Sequence, residues 1–246
     1  MRFNQHLPSL FTLINLFLGF IAIINIQQEN YVMACYFLLA AGVFDSIDGK
    51  LARMLGIPTN FGKEIDSLAD MVSFCLAPSL LVYALYTQNM PGISGEIIAS
   101  VPLIIGAIRL ARYNAIENQQ TDSFIGLPTP MNALAIASLI LFMEHIKLTN
   151  PEYSQPRLLL PLILSLSYLM ISRVQYPKFP ILNFKVSRQN NYKLCGVVLF
   201  IFCLSISIVI GYSYQVMIYF IAFYILSGLG IHVINLGNIE TNSQEI

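Results

Sequence analysis

The stretch YVMACYFLLAAGVFDSIDGKLAR, residues 31–53, decides how the chain is read. Residues 31–44 carry no charge and form an apolar run, after which Asp45, Asp48, Lys50 and Arg53 follow within a few positions. A bilayer core of about 30 Å needs about 20 residues of helix. Tyr31–Phe44 is too short to cross it alone, so the crossing helix must continue through the aspartates. Charge at that depth is costly and marks function more often than architecture.

The rest of the chain agrees with a membrane reading. Of 246 residues, 56% are hydrophobic and 11% charged, and the mean hydropathy is +0.68. Soluble domains do not have this composition. The expected fold class is all-α: a polytopic membrane helix bundle with about eight transmembrane helices, six to eight fitting the pattern, and 1–246 as a single integral membrane domain. The expected spans run roughly 8–26, 31–54, 63–86, 95–116, 128–147, 156–173, 192–210 and 214–235. The first is expected to be a retained span rather than a cleaved leader, because it is long and lacks a small-residue cleavage site.

Charge placement sets the expected orientation. With the N-terminus inside, every Lys and Arg except Lys147 and Arg157 falls at or near the cytoplasmic face. Net charge is zero and no basic tract exists, so composition offers no electrostatic case for nucleic acid. Cys35, Cys75, Cys195 and Cys203 lie singly in apolar runs and are read as small hydrophobes. His6, His145 and His232 are isolated. Asn15, near the middle of the first span, is a buried polar group that needs a partner.

Four of the five aspartates, Asp45, Asp48, Asp66 and Asp70, lie within 26 residues around the turn LGIPTNF. Asp45 and Asp48 share a helix face, as do Asp66 and Asp70. A short turn makes the two helices antiparallel neighbours, so all four carboxylates can meet. At a rise of 1.5 Å per residue, Asp45 lies on the order of 15 Å from the turn, in the cytoplasmic half of the membrane. Four carboxylates repel one another and need cations. Oxygen ligands without His or Cys suit a hard divalent ion rather than zinc. Gly49 and Ala52 extend one stripe, Gly62 the other, and Arg53 adds a fixed positive charge, a combination suited to metal-bound phosphate chemistry. The alternative is a set of interface charges neutralised by Lys50, Arg53 and Lys63.

From Asp45 onward the segment is D-x2-D-G-x2-A-R-x8-G-x3-D-x3-D, which resembles the signature of the CDP-alcohol phosphatidyltransferases. The resemblance implies transfer of a phosphatidyl group from a CDP-lipid to an alcohol with release of CMP. It implies two divalent metals, Mg2+ or Mn2+, held by Asp45, Asp48, Asp66 and Asp70, with Asp70 as the base for the acceptor hydroxyl. Gly49, Ala52, Arg53 and Gly62 would line the cytidine diphosphate site. It also implies a homodimer.

RLARYN (109–114), FIGLPTPMNA (124–133), the opening LPSLFTLINLFLGF and, more loosely, RVQYPKFP (173–180) resemble the branch of that family whose acceptor is L-serine. The expected substrates are therefore CDP-diacylglycerol and L-serine, in contact with membrane lipids. A zwitterion needs a guanidinium for its carboxylate and an acceptor for its ammonium. Arg109 and Arg112 are the candidates for the first task, with Asn114 as a polar helper, although anchoring at the membrane face also accounts for arginines there. Pro128 and Pro130 suit the first turn of a helix. Two other readings are weaker: the same chemistry with glycerol 3-phosphate or an inositol phosphate as acceptor, and a divalent-cation transporter. Transporters tend to bind at the midplane between internal repeats, whereas these acids lie toward one face of a chain without a visible repeat.

Overall fold

The computed structural model describes residues 7–55, 60–115, 123–150, 159–177, 191, 194–196, 199, 203 and 213–243. The helices are α1 (Leu7–Gln27), α2 (Tyr31–Leu55), α3 (Asn60 to Thr87), α4 (Ser94–Ala115), α5 (Thr129–Thr149), α6 (Leu159–Ile171) and α7 (Ser213–Ser243). Two short strands, β1 (Ser123–Ile125) and β2 (Gln175–Pro177), complete the described elements. Among the described residues, six helices are long and apolar enough to cross a membrane, and the thirteen-residue α6 is a shorter apolar helix. These match the expected spans except 192–210, most of which lies outside the described residues.

The chain divides into two compact units. The first comprises Met1–Gln119 with Pro128–Ile171, the second Gln120–Leu127 with Ser172–Ile246.

In the first unit, α1 and α2 form an antiparallel hairpin. α1 ends where the Asn30 N–H donates to the Asn25 carbonyl at 2.8 Å and Glu29 takes a left-handed φ of 60°, reversing the chain in three residues. The outward face of α1 carries Leu10, Leu13, Phe17 and Phe20, all exposed. Such a stripe on a membrane helix is suited to acyl chains. Inside, Ala41 of α2, Phe74 of α3 and Ala133 of α5 are completely buried together, with Leu18 of α1 packed against them. Four helices therefore meet at one layer.

α3 is not a uniform α-helix. Met71–Leu76 and Tyr83–Thr87 are π-helical, with α-helix at Asn60–Asp70 and Ala77–Val82. The first π segment begins directly after Asp70, and its closing bond runs from the Ala77 N–H to the Val72 carbonyl. Such wide turns insert a residue and re-aim side chains, often at functional sites. Here Ser73 donates to the Asn15 carbonyl of α1 at 3.0 Å, and a Cβ on Gly106 of α4 would strike Cys75. Small residues thus allow α1 and α4 to approach α3 closely at the level of the π segment.

In the second unit, β1 and β2 pair antiparallel with Phe124 opposite Tyr176. This ribbon is an addition to the expected all-helical pattern, because three-residue strands are too short to show an alternating period. Gly126 leaves β1 at φ 77°, a conformation available to glycine without strain, and its N–H donates to the Val174 carbonyl at 2.8 Å. The ribbon rests on α7. Tyr176 is fully buried, stacks on Tyr224 at 5.6 Å between ring centroids, and lies against Gly228, where a Cβ would collide with its ring. The Tyr224 hydroxyl donates to the Pro177 carbonyl at 3.3 Å. FIGL and VQYP, distant in sequence, are thereby joined.

The α1–α3 approach is directly testable. A Cβ at Gly19 would meet Ser73 Cα at 2.8 Å as well as its side chain, and the backbone atom cannot swing aside as a side-chain end can. Gly19→Ala should destabilise the protein by about 1–3 kcal/mol, seen as a lower Tm in detergent.

Candidate active site

The second half of α2 and the first turns of α3 carry the four aspartates on facing stripes. Ligand oxygens from Asp45, Asp48 and Asp66 lie within 4.8 Å of one another. Asp70 stands one turn beyond Asp66, its carboxyl hydrogen-bonded to that of Asp45. The cluster is therefore continuous from α2 to α3, as the spacing predicts. Asp48 is 4% and Asp70 8% exposed, whereas Asp45 and Asp66 are half-buried. Each helix thus contributes one buried and one half-buried carboxylate.

Local contacts orient the carboxylates. The Thr12 hydroxyl of α1 and the Gly49 N–H donate to Asp48, so α1 takes part in building the site. Asp48 Oδ2, Asp66 Oδ1 and Asp70 Oδ1 are buried without a hydrogen-bond partner among the described residues. Buried polar atoms are rarely left unmatched, and unmatched carboxylate oxygens that converge fit a hard cation. The all-oxygen donor set points the same way, so the Asp45, Asp48 and Asp66 triad could hold a divalent metal.

Around the cluster, Gly49 is exposed and Gly62 half-buried, so both occupy the accessible side with no side chain to block it. Ala52 and Arg53 belong to the last turns of α2, and their side chains lie outside the described residues.

The three candidate acceptor residues on α4 take different positions. Arg109 is 9% exposed, donates from Nη1 to Thr129 Oγ1 of α5 at 3.0 Å, and lies 5.8 Å from the Tyr113 ring centroid. Arg112 is exposed. Asn114 donates from Nδ2 to Ser67 Oγ at 2.9 Å, tying the end of α4 to the turn of α3 that holds Asp66. Arg109 thus stands inside the bundle, while Arg112 and Asn114 occupy its exposed edge.

Thr12, Ser67 and Thr129 contribute contacts that sequence reasoning missed. Hydroxyl residues are common in membrane helices, where they bond their own backbone or a neighbour, so their identity alone gives no signal. Thr12 offered a faint one, standing three residues before Asn15 in a mostly apolar helix.

Comparison with known proteins agrees with this geometry. Residues 5–172 match the CDP-alcohol phosphatidyltransferase family, a span that holds all four aspartates and Arg109. The chain belongs to that family. It is 38% identical over 173 residues to a CDP-diacylglycerol–serine O-phosphatidyltransferase of Helicobacter pylori, covering 70% of this chain and 72% of the relative. It is 33% identical over 175 residues to the Bacillus subtilis protein of the same name, covering 71% and 92%. It is also 32% identical over 181 residues to an archaetidylserine synthase of Methanothermobacter thermautotrophicus, covering 70% of each chain.

If the carboxylates are metal ligands, Asp48→Ala should weaken Mn2+ binding to the purified protein by at least the roughly 10- to 100-fold that loss of a ligand's supporting contact costs. Titration followed by the Mn2+ paramagnetic signal would show it, and unchanged binding would remove Asp48 from the ligand set.

Proposed function

We propose that this protein is a phosphatidylserine synthase, transferring the phosphatidyl group of CDP-diacylglycerol to the hydroxyl of L-serine and releasing phosphatidylserine and CMP. The observation that carries this reading is the convergence of Asp45, Asp48, Asp66 and Asp70 at the α2–α3 junction. The names of the relatives supply the acceptor. Multiple apolar helices make the chain a multi-pass integral membrane protein, and the distribution of Lys and Arg supports a site facing the cytoplasm. In this reading residues 1–246 act as one membrane domain, and the family resemblance adds a homodimer.

The Asp45, Asp48, Asp66 and Asp70 carboxylates would hold two divalent ions, Mg2+ or Mn2+. When bound, such ions neutralise the diphosphate and polarise the attacked phosphorus. The chain's own residues divide the remaining tasks. Gly49, Ala52 and Gly62 leave space for the cytidine diphosphate, and Arg53 supplies positive charge beside it. Asp70, the most deeply placed carboxylate of its helix, takes the proton from the serine hydroxyl as its oxygen bonds to phosphorus. The phosphorus–oxygen bond to CMP breaks, and the electron pair leaves with CMP.

Arg109 binds the serine carboxylate, with Arg112 and Asn114 on the exposed side guiding its entry. A buried guanidinium matches a monocarboxylate. Glycerol 3-phosphate or an inositol phosphate brings a dianion and would favour a denser basic pocket, whereas Arg109 is the single buried cation among the described residues.

Purified protein supplied with CDP-diacylglycerol and Mn2+ should release CMP on addition of L-serine and not of glycerol 3-phosphate or inositol phosphate. Release with another acceptor alone would sink the serine assignment. Asp70→Asn, nearly isosteric, should lower turnover by about 10²–10⁴-fold, the usual contribution of a general base, with Tm retained. Full activity in that variant would take Asp70 out of the proton transfer.

A further inference from the structure

The start of α5 holds a polar group that the reaction described above does not use. Asn132 has no exposed surface, and neither its Nδ2 nor its Oδ1 has a hydrogen-bond partner among the described residues. A buried carboxamide with both ends unmatched is costly enough that such groups normally have a ligand or a neighbour. Thr129, three residues earlier and therefore on the same side of the helix, is 1% exposed and accepts from Arg109. Ala133, the residue after Asn132, packs with Ala41 and Phe74, which stand four residues from Asp45 and Asp70 along their own helices. The first turns of α5 therefore lie against both the buried guanidinium and the helices carrying the carboxylates.

We propose that Asn132, together with Arg109 and Thr129, forms the subsite that recognises the amino-acid end of the acceptor, a zwitterion with adjacent ammonium and carboxylate. A carboxamide is a neutral side chain that donates from one atom and accepts at another. Nδ2 donates to the substrate carboxylate beside the Arg109 guanidinium, and Oδ1 accepts from the substrate ammonium. One ligand thus satisfies both unmatched atoms. The N-terminal end of α5 adds partial positive charge on the carboxylate side through the helix dipole. Asn132 is then a specificity residue, distinguishing an amino acid from an alcohol that lacks either charge. This inference rests on the serine-acceptor reading.

The test uses the full chain in detergent with CDP-diacylglycerol and Mn2+, comparing wild type with Asn132→Leu, an apolar side chain of similar size. The KM for L-serine should rise about 10- to 100-fold, the usual effect of losing hydrogen bonds to charged groups. The KM for CDP-diacylglycerol should stay unchanged, and Tm should stay level or rise because a buried unmatched pair has been removed. The wild-type advantage should shrink with ethanolamine, which lacks the carboxylate, and with 3-hydroxypropionate, which lacks the ammonium.

An unchanged serine KM, or a parallel loss for both substrates with a lower Tm, would overturn the proposal by showing a packing role or none. Should the leucine variant fail to fold, Asn132→Asp keeps the shape and the ammonium acceptor but sets one carboxylate against another. A raised serine KM there supports the subsite, and an unchanged one overturns it. A wild-type protein that releases CMP only with a different acceptor would overturn the serine reading itself. That outcome is distinct from one in which wild type and variants use serine equally well.

Discussion

Mutual repulsion among four carboxylates held between two membrane helices is the constraint on which the first unit depends. In a medium of low dielectric such charges stabilise the fold only when something opposes them. Asp48 takes hydrogen bonds from Thr12 and from its own neighbour's N–H, which recruits α1. Buried carboxylate oxygens of Asp48, Asp66 and Asp70 without partners among the described residues fit further compensation by a cation. A site of this kind is assembled by packing but completed by a ligand, so the helices must be held in register by contacts other than the charges.

Those contacts are close approaches of small residues. Gly19 lies against Ser73, Gly42 against Leu134, and Gly106 against Cys75. Between membrane helices there is little hydrophobic gain to separate good packing from poor, and close backbone approach is what fixes position. The π segment directly after Asp70 sits at the centre of this arrangement. Its wider turn presents Ser73 to α1 and Cys75 to α4 while Asp70 keeps its place beside Asp45. The clustered carboxylates on one side and the Arg109–Thr129 pair on the other are thus carried by helices that share a common packing layer.

Much of this was legible beforehand because charge in an apolar chain is conspicuous. Asp45, Asp48, Asp66 and Asp70 stood out by position, and their i, i+3 and i, i+4 spacing already placed them on shared faces. Arg109 stood out for the same reason, falling inside a helix rather than past its end. The acceptor side was less legible. Arg109, Arg112 and Asn114 are near neighbours in sequence, yet one is buried and two are exposed, a difference set by which helices lie alongside α4. Thr12, Ser67, Thr129 and Asn132 are ordinary polar residues until burial is known.

By itself, the sequence determined the class: a helical membrane protein with a cluster of acids on shared helix faces, because composition sets the solvent and spacing sets the helix face. Tertiary structure alone decided where α3 departs into π-helix, that FIGL and VQYP pair as a ribbon, and which hydroxyls meet buried charges. The physical reason is range. Periodicity along one helix is a local property, written in consecutive residues. The partner of a buried polar group is chosen by helix crossings between distant segments, and no local pattern records them.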